Sequence, residues 1–269
     1  MNIRVLVSNE RQLNAAIRSG CSSVALESAG FPFEDLVSAA RRVKEASKTC
    51  YYAFPQVFRF EAEKIYAGHV NDLKNAGFDG FIVRSYEVLA FLSENDLGGE
   101  RIADHNLYVW NREALSYMLS HGFDRVTAPV ELTARELSDV GFAGQEIVAY
   151  GRLPMMVTAN CLFQTTDRCD RKGTEGILTD RLGHRMVVTR DCRTCQNTIL
   201  NALPLSLLRE GKTISALGFD SARLIFTDES ESETASVIER FSEAFLNEKE
   251  VTEPEDRLYT RGHFRNMIE

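Results

Sequence analysis

The stretch ARLIFTDESESETASVIERFSEAFLN, Ala222 to Asn247, decides the fold. Its first six residues, Ala222 to Thr227, form an apolar run of strand length, and Glu233 to Asn247 reads as a long helix. A strand followed by a helix is one βα unit. Seven such units can be read upstream, so this stretch brings the count to eight.

Working back to the amino terminus, the predicted strands are Ile3 to Val7, Val24 to Glu27, Cys50 to Phe54, Gly80 to Val83, Arg101 to Asp104, Arg125 to Ala128 and Glu146 to Tyr150. Helices are predicted between them at Glu10 to Ser19, Phe33 to Ala46, Glu61 to Asn75, Glu87 to Glu94, Arg112 to Ser120 and Thr133 to Val140. Gly20, Gly77, Gly122 and Gly141 stand at helix exits, where a left-handed cap suits glycine. Eight parallel strands close into a (β/α)8 TIM-barrel-like α/β domain with its site at their carboxyl ends. The rival is an open doubly wound sheet, but no Gly-rich phosphate loop follows the first strand.

Between the seventh and eighth strands the pattern breaks. Leu153 to Asn201 holds cysteines, charges and turn formers with little periodicity, and a helix is expected near Leu205 to Arg209. The expected division is a barrel over 1–152 and 202–250, a cysteine-rich insertion over 153–201, and a tail over 251–269. A net charge of -8 argues against a broad nucleic-acid surface, which needs clustered Lys and Arg. No apolar run reaches membrane-spanning length and the opening MNIRVLVSNERQ lacks a signal-peptide core, so no membrane partner and a cytoplasmic location are expected.

Cysteines in that compartment read better as metal or redox groups than as disulfides. Four of the six fall close together: Cys161, Cys169, Cys192 and Cys195, with spacings of seven, twenty-two and two residues. The last pair is the C-x-x-C of DCRTC, whose turn can aim two thiolates at one ion. Four thiolates suit zinc or an iron–sulfur cluster, and spacing does not separate the two. The plainer reading is four thiols that merely pack. Cys21 and Cys50, beside predicted strands, read as buried structural thiols.

Several runs resemble the collagenase-like peptidase family U32: EIVAYGRLPMMVTANC (Glu146 to Cys161), LTDRLGHRMVVTRDCRTCQNTILNALPLSLL (Leu178 to Leu208), YTRGHF (Tyr259 to Phe264) and the opening RVLVSNERQLNAAI. The chain is also similar to the carboxyl-terminal portion of longer members, which would make other domains its partners. Of the family signature E-x-F-x-x-G-[SA]-L-C, the chain keeps Glu146 and Gly151. Val148, Arg152 and Pro154 replace the phenylalanine, the small residue and the cysteine.

The resemblance implies a barrel and cysteine-bound iron–sulfur clusters, here a [4Fe-4S] cluster on Cys161, Cys169, Cys192 and Cys195, with zinc as the alternative. It also implies one of two activities. One is peptidase action of unassigned mechanism. The other is oxygen-independent hydroxylation of RNA or a ubiquinone precursor, with prephenate as the hydroxyl source for RNA.

Polar residues just past strand ends face a barrel's site, which nominates Glu27, Arg84, His105, Asn106, Glu131, Tyr150 and Arg152. His105 is a candidate proton carrier, or else a satisfied structural histidine. Arg84 and Arg152 suit an anionic substrate, though singly each reads as an ion-pair arginine. Glu27 and Glu131 are candidate acids or bases, with helix capping as the plainer reading.

His263 belongs to the terminal motif without an assigned role. There is no G-x-S-x-G elbow and no H-E-x-x-H, and metal ligation would consume the clustered thiols that a cysteine protease needs. Three readings follow: a metal-centred hydroxylating enzyme, a peptidase, or a structural-zinc portion that binds substrate for a longer chain. The substrate is a peptide, RNA or a small anionic molecule.

Overall fold

Successive residues of a strand point to opposite faces, and the first strand shows what the two faces are for. Ile3, Val5 and Val7 pack outward under the helices, while Arg4 and Leu6 face inward. The computed structural model describes residues 1–166, 169, 175–254 and 258–265. Its strands in chain order are β1 (Asn2–Val7), β2 (Ser23–Glu27), β3 (Thr49–Ala53), β4 (Gly80–Val83), β5 (Glu100–Ala103), β6 (Arg125–Val126) and β7 (Glu146–Gly151). Then come β8 (Pro154–Thr158), β9 (Glu175–Thr179), β10 (Arg185–Asp191), β11 (Gln196–Leu200), β12 (Leu205–Ser206) and β13 (Ser221–Ile225).

The parallel order β7-β13-β1-β2-β3-β4-β5-β6 is that of the expected barrel, with β13 as its eighth strand. Its ends meet where Thr127, just past β6, bridges Glu146 of β7, and the Ala128 N–H donates to the Glu146 carbonyl at 2.8 Å. This seam is the thinnest joint of the ring. The tail crosses it: Thr260 bridges Leu205 of β12, which is paired with β7, and the Phe264 carbonyl accepts from Ala134 beyond β6.

The main apolar core lies between strands and helices, and a smaller one, Leu6, Ala25, Tyr51, Ala53, Ile82 and Ile102, fills the barrel. Around that small core the interior is charged. Arg223, fully buried, donates to Asp104 at 2.6 Å, to Thr127 at 2.7 Å and to Glu146. Arg4 reaches Glu146 at 2.8 Å, and Ser221 donates to it at 2.8 Å. Glu146, a retained signature residue, is thus the acceptor at the centre of the barrel.

Gly151, the other retained residue, has φ +129, and a Cβ there would lie 2.4 Å from the Ile225 carbonyl oxygen. Gly151→Ala is expected to cost about 2 kcal/mol, read as a lower urea midpoint. An unchanged midpoint would contradict this account.

Three local expectations are corrected. The helix expected over Glu61 to Asn75 is two, Phe60–Ala67 and Val70–Ala76, broken where His69 leaves helical geometry to stack on Phe33 at 4.1 Å. Leu205 to Arg209 is not a helix. It is β12 followed by a 3₁₀ turn, because Leu205 and Ser206 pair with Gly151 and Tyr150.

The stretch read as irregular contains a four-stranded antiparallel sheet, ordered β8-β11-β10-β9. Cys192 to Cys195 form the turn of its β10–β11 hairpin, with Cys195 at φ +54. No helix among the described residues is long and apolar enough to cross a membrane.

Candidate active site at the barrel mouth

Glu27 ends β2, Arg84 follows β4, and Asp104 and His105 follow β5, so the parallel strands deliver all four to one end of the barrel. The Arg84 guanidinium donates to both Glu27 oxygens at 2.9 Å, to Asp104 at 2.8 Å and to the Phe54 carbonyl at 3.2 Å. Those bonds commit it within the protein and fix two carboxylates at the mouth. Burial alone would raise the Asp104 carboxyl, but the Arg223 and Arg84 guanidiniums hold it well below the usual carboxylate range. Burial pushes His105 the other way, below an ordinary imidazole, so it is neutral near pH 7.

The small sheet covers this end. A cavity of about 100 Å³ lies between, lined by Glu27, Arg84, Asp104 and His105 from the barrel and by Arg152, Glu175, Arg190 and Asp191 from the covering side. Arg152 is held by Asp228 at 2.9 Å and by the carbonyls of Asn201 and Ala202. Glu175 is pushed up by burial and by the neighbouring charges of Asp228 and Glu229.

Two contacts pin the sheet to the barrel. Arg193 donates to the Ser28 carbonyl at 2.6 Å, and Gln196 to the Val57 carbonyl at 2.8 Å.

Of the residues nominated from sequence, Glu27, Arg84, His105 and Arg152 line this cavity. Asn106 and Glu131 line a neighbouring one that shares His105. Tyr150 lines neither. A register shift in β7, where Arg223 faces Val148 but Leu224 faces Tyr150, breaks the alternation; Tyr150 packs with Phe226 and Phe241 and donates to Glu229 at 2.9 Å. Asp104, Glu175, Arg190 and Asp191 were not nominated. Arg190 and Asp191 stand directly before Cys192, so the C-x-x-C motif was the signal that pointed to them.

Cys21 and Cys50 are buried in the outer core, as expected. Cys161 precedes the short helix Leu162–Thr165. Burial raises its thiol, but the N–H groups of Gln164 and Phe163, the Asn197 amide and Arg190 bring it below its ordinary value. Cys192 is raised, first by burial and then, against the pull of Arg190, by the charges of Cys169 and Cys161. Cys161 is buried and Cys192 half-buried, while Cys169 and Cys195 are both exposed.

The donor chemistry fits a soft metal centre: one sulfur is drawn toward thiolate by N–H groups and a guanidinium. Among the described residues, no three His, Cys, Asp or Glu side chains already form a metal-holding group. A hydrolytic pairing is not found in the cavity either. The Ser120–His121 hydrogen bond, 2.9 Å, lies at an exposed helix end.

The model of peptidase family U32 matches residues 20–263. No curated protein matches the chain. Among solved structures, it is similar to a candidate fructose-1,6-biphosphate aldolase from Coccidioides immitis, with TM-score 0.51 and 12% identity over 91% of this chain and 88% of that one. A thiamine phosphate pyrophosphorylase from Pyrococcus furiosus gives TM-score 0.48 and 9% identity over 90% and 96% of the two chains. Tryptophan synthase from M. tuberculosis gives 0.48 and 10% over 90% and 91%. At such identities the first of these likenesses speaks for the barrel fold alone.

Proposed function

The chain belongs to peptidase family U32, and on that premise we propose that it is an iron–sulfur-dependent enzyme that hydroxylates a small substrate group without molecular oxygen, an organic hydroxyl donor giving up its C–OH oxygen and being itself reduced by the two electrons that the substrate loses. The observation that carries the reading is Arg190. It lines the cavity from β10, and its charge acts on both Cys161 and Cys192. A side chain common to the cavity and to the charge felt by two of the sulfurs supports a reading in which substrate and metal centre are neighbours.

A [4Fe-4S] cluster, which Cys161, Cys169, Cys192 and Cys195 would hold, would supply electron transfer. The protein's own groups do the rest. Glu27, Arg84 and Asp104 form a rigid, charge-paired wall that keeps the mouth in shape. Neutral His105 takes up or returns a proton at neutral pH. Glu175, whose raised carboxyl keeps its proton to higher pH, is a second acid. The cavity volume, about 100 Å³, admits one small group of a substrate and not a folded chain.

Anaerobically purified protein is expected to be brown and to contain iron and sulfide, and Cys192→Ser to lose most of both. Colourless protein with stoichiometric zinc would replace the cluster by a structural metal. Peptide release from denatured collagen by metal-free protein would restore the hydrolytic reading.

A further inference from the structure

Beside the first cavity lies a second, of about 150 Å³, which shares Gln56, His105 and Pro154 with it. Three residues lining it carry buried polar atoms without a hydrogen-bond partner: the acceptors Asn106 Oδ1 and Glu131 Oε2, and His105 Nδ1, which lies 3.9 Å from Asp104 and accepts in the tautomer that is protonated at Nε2. Asn106 uses its Nδ2 to donate to the Arg84 carbonyl at 2.9 Å, which leaves the oxygen as its unused atom. Apolar walls complete the cavity. Met155 and Met156 are 66% and 58% exposed, and Tyr108 is 55% exposed.

Buried acceptors without donors are costly, and three beside one cavity call for a donor-rich occupant. A primary ammonium has three N–H donors and no acceptor. Methionine side chains adapt to an aliphatic stem, and a tyrosine ring attracts a cation. We propose that this second cavity binds a primary ammonium group on an unbranched aliphatic stem, as carried by a lysyl side chain or a free alkylamine. Glu131 supplies the countercharge and Asn106 and His105 the remaining acceptors.

The His105 imidazole must be neutral to accept at Nδ1, and its burial favours that form against the nearby charges of Asp104 and Glu131. The proposal needs no metal and stands or falls apart from the cluster.

The test uses the whole chain with methyl-labelled methionine, observed by NMR. Pentylammonium and Nα-acetyl-lysine N-methylamide are expected to shift the Met155 and Met156 methyl resonances saturably. Nα-acetyl-norleucine N-methylamide, the neutral counterpart, is expected to fail at tenfold higher concentration. Glu131→Gln should weaken ammonium binding about tenfold or more, with the Met118 and Met186 resonances reporting that the variant is folded. Tighter binding of the blocked lysine assigns the source to a polypeptide, and equal binding assigns it to a free amine; both support the proposal. Equal binding of the norleucine compound, unchanged affinity in Glu131→Gln, or no response at Met155 and Met156 overturns it.

Discussion

Arg223→Met lowers the free energy of unfolding by about 3–5 kcal/mol, the cost of removing one partner from a buried ion network. Methionine keeps much of the volume but none of the donors. Asp104 then retains Arg84, and Glu146 retains Arg4, so each carboxylate loses one cation and keeps another. Urea unfolding measures the loss, and a change below about 1 kcal/mol would show that the interior charges relax without Arg223.

The same network sets the acid limb of stability. Asp104 and Glu146 are both held below the usual carboxylate range, against burial, chiefly by Arg223. A depressed carboxyl stabilises the fold above its unfolded value of about 4, and that stability is lost as pH falls through and below it. The variant should therefore start lower and lose less on acidification than the parent.

Arg193→Ala is expected to free the hairpin that carries the C-x-x-C turn. Arg193 is bonded to Asp191 at 2.8 Å and to the Ser28 carbonyl at 2.6 Å, and its guanidinium lies 5.2 Å from the Phe33 ring and 5.7 Å from the Tyr66 ring. The Asp191 bond fixes the guanidinium within the hairpin, and the Ser28 and ring contacts tie the small sheet to the loop after β2 and to the helices that hold Phe33 and Tyr66. Their loss should weaken local protection of β10 and β11 amides by about 2–3 kcal/mol in hydrogen exchange, while the barrel strands keep theirs. Arg193→Lys should recover only part, because an ammonium cannot reproduce the planar fork. Identical exchange in β10 and β11 would mean that the sheet is held down by something other than this residue.

The barrel was legible in sequence because each strand and helix announces itself within about ten residues. Apolar runs such as Gly80 to Val83 and exits such as Gly77 need no distant partner to be read. What fills the barrel was not legible, because the partners are remote: Arg223 meets Asp104 and Glu146 across 119 and 77 residues. An arginine inside an apolar strand looks like an edge or an error until the ring is closed.

The small sheet was missed for a different reason. Its two edge strands have no buried position, β8 being open along its length and β9 alternating between exposed and partly exposed positions, so burial leaves little pattern in them. The site was partly legible, since strand ends locate Glu27, Arg84 and His105. Tyr150 obeyed the same rule and was displaced by a bulge that local sequence does not mark. Spacing flagged the cysteines, and the fold places Cys192 and Cys195 in one hairpin turn and Cys161 at the start of a short helix.

A hoop under thermal agitation parts where its strand pairing is shortest, and here that place is the gap between β6 and β7, joined by the Thr127–Glu146 bridge and the Ala128 N–H bond and strapped from outside by Thr260 and Phe264. The turns that carry Thr260 and Phe264 thus bear on how often the cylinder gapes and how long its wall of strands keeps one shape.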